Sequence, residues 1–314
     1  MARFSMDQVY NAIKTYMADE GVVEIIGIRN ALIRAMEADC KIYVLTEKVE
    51  YNGETYSAFA IMNDEEGHTV FPLFTDMREL SVVQRELERE MEWRKRYDVG
   101  IMSLKDVLTL LVERDLCDGV LVNPVSLGFN IPLGFYADVL QSSLVSHITM
   151  IHADITDLYT DAIVSSTDEL LSGVGDVDAA IRAKGGEQLT EAVEGNKLAL
   201  ADVLGVRSAG ELHSEYVFFT RCPVWAELAS RQALYDCYYN CMNVAQQSKS
   251  ASIAFPCIGA GGNGVPMEQV MELSTRAVSD WLSEHEDYYI DVYFCCFEEG
   301  HKEMYQAFFD SLAE

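Results

Sequence analysis

Basic side chains are scarce in this chain: 23 lysines and arginines stand against 51 aspartates and glutamates, for a formal net charge of −28. A field of that sign repels a phosphate backbone, so a general DNA- or RNA-binding role is disfavoured. The deficit is uneven, with 14 bases against 24 acids up to Ser146 and 9 against 27 from His147 onward. Long apolar runs are also missing. None reaches membrane-spanning length and the first residues have no signal-peptide core, so the expectation is a cytoplasmic protein with no membrane partner. The eight cysteines form no CxxC and no Cys/His pair at zinc spacing. Cys237 and Cys241 are one helical turn apart and Cys295 and Cys296 are adjacent in an apolar run, so the reading is buried thiols, with no metal site and no cofactor implied.

What is present is enough for a packed protein. Of 314 residues 49% are hydrophobic, and 16 tyrosines and 13 phenylalanines are available for cores. That length predicts two domains. The most informative stretch runs from Ser252 to Pro266. Ser252 to Phe255 is a short apolar run of the kind a strand buried on both faces shows, and Gly259, Gly261, Gly262 and Gly264 follow within six residues. Glycines let successive amides turn toward one point and let a bulky anion come close, so the loop reads as a nest for phosphate oxygens at a strand's carboxyl end. Pro266 then opens a predicted helix from Met267 to Leu282. Taken alone, such a loop reads equally as a flexible strand-to-helix connection.

In chain order, Met6 to Met17 and Val22 to Ala38 have apolar residues at helical spacing. Lys41 to Leu45, Thr55 to Met62 and His68 to Phe74 are rich in β-branched and aromatic residues. Asn52-Gly53 and Asp64 to Gly67 separate them, which predicts a three-strand meander. Helical spacing returns at Arg78 to Met91 and Leu104 to Arg114. One more strand, Gly119 to Val122, precedes an irregular Asn123 to Pro132, so the first half is expected to be α+β. His68 beside its turn reads as a surface histidine, and the alternating charges of Arg85 to Arg96 as a solvated helix face. Phe71-Pro72-Leu73-Phe74-Thr75 with Gly119-Val120-Leu121-Val122-Asn123-Pro124 resembles the N-terminal domain of the SseB family, over roughly Ala38 to Leu140. That resemblance implies no chemistry. The half is expected to dock a protein partner.

Residues 141–147 read as a short linker between a domain at 1–140 and one at 148–314. From Ile148 strands and helices alternate, as a mostly parallel sheet requires. Strands are predicted at Ile148 to Ile151, Asp161 to Ser165, Val203 to Ser208, Tyr216 to Arg221 and Ile290 to Phe297, with a helix at Gln232 to Gln247. A second glycine loop, Ser172 to Val177, lies upstream, and a helix starts behind it at Asp178. Two such loops, each feeding a helix N-terminus, point to one diphosphate gripped from two sides.

This half resembles the macro domain over its whole length. The resemblance rests on Asp154-Ile155-Thr156, Asp161-Ala162-Ile163-Val164 and Ser252 to Pro266. Lys184-Gly185-Gly186 and Cys222-Pro223-Val224-Trp225 bring it nearest to the macro-histone type. It implies an α/β three-layer domain with a mostly parallel mixed sheet that binds ADP-ribose, free or on a modified protein. The implied contacts are Asp154 and Ile155 with the adenine end, where Asp154 accepts the amino group, and Phe297, which stacks on the base. Asp168, Gly173, Gly175, Asp176, Val177 and Asp178 of the first loop, with Ile258, Gly259, Ala260, Gly261, Gly262, Asn263 and Gly264 of the second, surround the diphosphate and distal ribose. The competing readings are an Asp154 that caps a turn and a Phe297 in the core.

The sequence also departs from the family. Many macro domains have Asn-Ala-Ala-Asn where this chain has Ser165-Ser166-Thr167-Asp168, and Asp176 stands where glycines are common. An unpaired carboxylate several ångströms from a phosphate costs about 1 to 3 kcal/mol, or about tenfold to a hundredfold in affinity. Family members that remove ADP-ribose resemble this chain at Asp178, which would orient a water. Their companion asparagine is Asp168 here, a nearby histidine is Arg182, and Asp178 fits a helix cap equally well. The expectation is therefore a binding module with no catalytic residue. The alternatives are an ADP-ribosyl hydrolase and a ligand-free interaction scaffold.

Overall fold

The computed structural model describes residues 5–18, 26–64, 66–87, 97–142, 146–225 and 228–311. The chain divides into two compact units, Met1–Lys14 with Ile25–Leu144 and Thr15–Glu24 with Val145–Glu314, the cut falling within helix α1 (Met6–Ala18).

The first unit continues with α2 (Ile26–Glu37), β1 (Lys41–Tyr51), β2 (Glu54–Phe59), β3 (Met62–Asn63), β4 (Thr69–Leu73), α3 (Met77–Leu87) and β5 (Tyr97–Ser103). It ends with α4 (Leu104–Arg114), β6 (Gly119–Val122), β7 (Phe129–Pro132) and α5 (Leu133–Gln141). Asn52 and Gly53 both take positive φ, 52° and 81°, and close the β1–β2 hairpin as their types favour. The predicted meander does not form. One sheet has the order β2-β1-β5 and another β3-β4-β6-β7. The reason lies in β4, whose Val70, Phe71 and Leu73 are all buried: a strand covered on both faces accepts β6 as a parallel neighbour, and with the short β3 antiparallel on its other side it builds a sheet separate from β1 and β2. The segment expected to be irregular contains β7, antiparallel to β6. Buried Asn123 ties the end of β6 to Thr75, accepting from its amide at 3.0 Å and donating to its hydroxyl at 2.9 Å. His68 is exposed. The residues 22–25, 88–96 and 143–145 of the predicted second helix, charged face and linker lie outside the described residues.

The second unit comprises β8 (His147–His152), a 3₁₀ turn (Ile155–Asp157), β9 (Ala162–Thr167), α6 (Asp176–Val193), β10 (Val203–Arg207) and β11 (Tyr216–Arg221). After these come α7 (Leu228–Ser248), β12 (Ser252–Phe255), α8 (Met267–Glu284), β13 (Asp291–Cys296) and α9 (Glu299–Ser311). Its six-stranded sheet has the order β10-β11-β9-β12-β13-β8. Only β10 runs antiparallel, at an edge. Successive side chains of a strand point to opposite faces. On one face Phe218, Phe255 and Phe294 share a core with Leu234, Tyr238, Trp281 and Tyr305 of α7, α8 and α9. On the other, Phe219 lies under Arg182 of α6, whose guanidinium is 5.3 Å from the ring centroid. A mixed sheet between helices results, and each parallel strand is covered on both sides.

Candidate functional site

Because β8, β9, β11, β12 and β13 run the same way, their carboxyl ends share one edge of the sheet, where ligands of open α/β folds collect. Asp154 follows β8, the first glycine loop β9, Cys222 to Trp225 β11, the second glycine loop β12, and Phe297 β13. A cleft of about 450 Å³ opens at this edge. Of the residues expected to contact a ligand, Asp168, Gly175, Asp176, Val177, Gly259, Gly261, Gly262 and Asn263 border it.

The second loop sorts its amides into two groups. Those of Ile258, Ala260, Gly264 and Val265 donate within the protein, to the Tyr238 hydroxyl and to the carbonyls of Cys257, Gly261 and Gly259. Those of Gly259, Gly261, Gly262 and Asn263 donate to no backbone carbonyl among the described residues. The glycines differ in the same way. At Gly259, with φ of +84°, an added Cβ would stand 2.5 Å from Val265 Cγ2 and 2.9 Å from Cys222 Sγ, so this glycine is required by the fold. At Gly261 and Gly262 it would meet nothing within 4 Å, so their bareness keeps the cleft open. Ile258 is wholly buried, and Ala260 packs against the core.

The first loop is folded around its own carboxylate. Asp168 Oδ1 accepts from the Leu170 and Ser172 amides at 2.9 and 3.1 Å, and Oδ2 from the Ser172 hydroxyl. Burial pushes this carboxyl up, but the Ser172 hydroxyl, the two amides and the Arg182 charge outweigh it and hold it below the usual range. Asp168 is therefore not the unpaired acid expected from its position. Gly173 (φ +77°) runs so close to α6 that a Cβ would lie 2.9 Å from Arg182 Cδ. Gly175 is the N-cap, and Gly175, Asp176 and Val177 border the cleft, so the positive end of α6 lies at it.

Asp178 is neither the cap nor a free acid. Its side chain is 1% exposed; Oδ2 accepts from the Thr167 hydroxyl at 2.5 Å and Oδ1 from Arg182 Nε at 2.7 Å. Arg182 also donates to the Leu171 carbonyl at 2.6 Å and so clips the loop to the helix behind it. The i,i+4 spacing of this pair was visible in the sequence; that both carboxylate oxygens are taken was not.

Asp154 and Phe297 stand apart from the cleft lining. Asp154 Oδ1 accepts from the Thr156 amide and hydroxyl at 2.9 and 2.6 Å, capping the 3₁₀ turn, with Ile155 buried behind it. The Phe297 ring is 77% exposed, which removes the core reading. Residues not anticipated are Glu169, Arg221, Cys222 to Val224 and Cys257, which also border the cleft. Their signal was positional: β11 was predicted as a strand, and in a parallel sheet its following loop shares the edge. Neither thiol is poised to ionise at neutral pH. Burial pushes Cys222 up to about 11, while a contact with Cys296 Sγ at 3.7 Å, together with burial, raises Cys257 well above its ordinary value. No group of three or more His, Cys, Asp or Glu among the described residues is placed to hold a metal ion, and no helix among them is long and apolar enough to cross a membrane.

Comparison with known proteins agrees with this edge-loop architecture. The family model described as Macro domain matches residues 164–274. An O-acetyl-ADP-ribose deacetylase of Escherichia fergusonii is 33% identical over 166 residues, which is 51% of this chain and 93% of that protein. A macro domain-containing protein of Listeria monocytogenes is 32% identical over 171 residues, 52% of this chain and 97% of its own length. The Oceanobacillus iheyensis macrodomain, solved with ADP, superposes with a TM-score of 0.51 at 24% identity, covering 55% of this chain and 95% of its own. With glycine loops at the carboxyl ends of β9 and β12 and relatives matched over nearly their full length, the chain belongs to the macro domain family.

Proposed function

We propose that the cleft binds ADP-ribose, free or attached to a modified protein. The observation that carries this is the pairing, on one open cleft, of the N-terminal end of α6 with the amides of Gly259, Gly261, Gly262 and Asn263, which have no backbone partner among the described residues. Amides so arranged take phosphate oxygens without a cationic side chain, which suits a half as acidic as this one. The diphosphate lies between the two loops. The adenine end extends to Asp154, which has a second carboxylate oxygen for the amino group, and the exposed Phe297 ring covers the base. Among the expected contacts, Asp178, Ile155, Ile258 and Ala260 act by shaping the loops. Calorimetric titration with ADP-ribose tests the reading: saturable heat supports it, and no heat at millimolar ligand overturns it.

Recognition is favoured over hydrolysis because the Asp178 side chain is only 1% exposed and is held by Thr167 and Arg182, so it does not stand open to a water in the cleft. Release of ADP-ribose from a modified protein or of acetate from O-acetyl-ADP-ribose, equal in wild type and buffer, is the expected result. Turnover abolished by Asp178→Asn would reverse the order. We read 148–314 as the macro domain, nearest to the macro-histone type at Lys184-Gly185-Gly186 and Cys222 to Trp225. We read 1–140 as an SseB N-terminal-like domain that docks a protein partner and 141–147 as the linker, in a cytoplasmic protein. Residues Phe71 to Thr75 and Gly119 to Pro124 support the second assignment.

A further inference from the structure

Four charged side chains border the cleft, and three of them are acids: Asp168, Glu169 and Asp176. The fourth is Arg221, at the last position of β11. Asp168 is occupied by its own loop, and Asp176 sits on the positive end of α6. Glu169 is different, because its Oε2 lies 3.4 Å from Arg221 Nη1.

The two side chains of this pair are held unequally, although the Glu169 backbone carbonyl also accepts from the Leu198 amide at 3.0 Å. Arg221 Nη1 donates to the Leu198 carbonyl at 3.1 Å. Its backbone is fixed on both sides, the amide donating to the Asp202 carbonyl at 3.3 Å and the carbonyl accepting from the Ala201 amide at 3.0 Å. The guanidinium therefore keeps its place without Glu169. Glu169 has a half-exposed side chain and a contact longer than the roughly 2.7 to 2.9 Å of a strong charge-assisted hydrogen bond, and an exposed pair of that kind contributes little to stability. A cation anchored by a carbonyl and covered by a loosely held acid, in the wall of a cleft that presents amides, is arranged to exchange one anion for another.

We propose that Arg221 is the cation of the binding cleft and that Glu169 is its resident counter-ion, displaced when an anionic nucleotide sugar enters. Glu169 lowers affinity for every anionic ligand and leaves uncharged nucleosides unaffected, so the pair sets selectivity by charge. Amide donors alone discriminate weakly between a phosphate and any other acceptor; a cation released only by an incoming anion adds that discrimination and makes binding salt-dependent. This rests on the ADP-ribose reading above.

The test is titration of the full chain with ADP-ribose and with adenosine, for wild type, Glu169→Gln, Arg221→Gln and Arg221→Lys. Glu169→Gln, at an exposed position, is expected to tighten ADP-ribose binding by about two- to fivefold. Arg221→Gln is expected to weaken it by about tenfold, and Arg221→Lys to fall between. Adenosine binding is expected to be the same in all four. If wild type binds ADP-ribose and Glu169→Gln binds it no more tightly, or if adenosine shifts in parallel, the exchange is overturned while the ADP-ribose reading stands. No binding to wild type overturns both.

Discussion

Arg182 reaches back one helical turn to the Asp178 carboxylate at 2.7 Å, and the same guanidinium donates to the Leu171 carbonyl at 2.6 Å in the loop ahead of the helix. The pair is buried, 12% and 1% exposed, and it couples helix α6 to the first glycine loop. Breaking one side leaves a buried charge without its ionic partner. Arg182→Ala is expected to cost about 3 to 5 kcal/mol, read as a lower urea midpoint with an unchanged slope. Replacing both residues, Asp178→Leu with Arg182→Met, is expected to recover most of that loss. A single substitution within 1 kcal/mol of wild type would show that the pair does not hold the loop.

The glycines of the second loop divide into those the fold needs and those the cleft needs. Gly259→Ala forces a side chain into a left-handed conformation and against Val265 and Cys222, at a cost of about 1 to 2 kcal/mol or more in stability. A Cβ at Gly261 meets nothing within 4 Å, so Gly261→Val is expected to leave the melting temperature unchanged. Its side chain stands in the cleft, so ADP-ribose affinity should fall by about tenfold or more as the adjoining amides lose their phosphate oxygens. Thermal shift and calorimetry on the two variants separate the roles; a stable Gly261→Val that binds normally would place the ligand elsewhere.

The parts of this architecture legible in sequence were those encoded locally. Ser252 to Phe255 is a strand as read, because a short apolar run beside glycines leaves few alternatives, and Tyr216–Arg221 matches its predicted limits. What escaped were relations between distant segments. Nothing near Thr69 announces that β4 pairs in parallel with Gly119–Val122, and the turn residues before it favoured a meander. Arg221 and Glu169 lie in separate elements and meet only because β11 lies beside β9. Asp168 looks unpaired in the sequence because Ser172, which hydrogen-bonds its carboxylate, does so through a loop conformation that spacing alone does not disclose.

That same carboxylate gives a pH dependence of known sign. Asp168 has a folded-state pKa below the ordinary 3.8, so the unfolded chain binds more protons as pH falls past that value. Its contribution is fully present above the unfolded pKa and is lost as pH drops through the folded one. Acid unfolding curves of Asp168→Asn should therefore be flatter than wild type below about pH 4 and parallel to it at neutral pH. Identical acid limbs would mean that the Ser172 contacts do not persist in solution.

Phe297 and Phe294 lie three residues apart at the end of β13 with opposite exposures, 77% and 1%. Phe294 stacks on Tyr305 with centroids 5.0 Å apart in the core, so Phe294→Ala is expected to cost about 3 to 5 kcal/mol of stability. Phe297 gives up almost nothing on truncation in the free protein. If its ring covers adenine, Phe297→Ala keeps the wild-type melting temperature and weakens ADP-ribose by about 1 to 3 kcal/mol. Ribose 5-phosphate, which lacks the base, should bind both proteins equally. Equal ADP-ribose affinities for wild type and Phe297→Ala would move the base away from the end of β13 while leaving the diphosphate between the two loops.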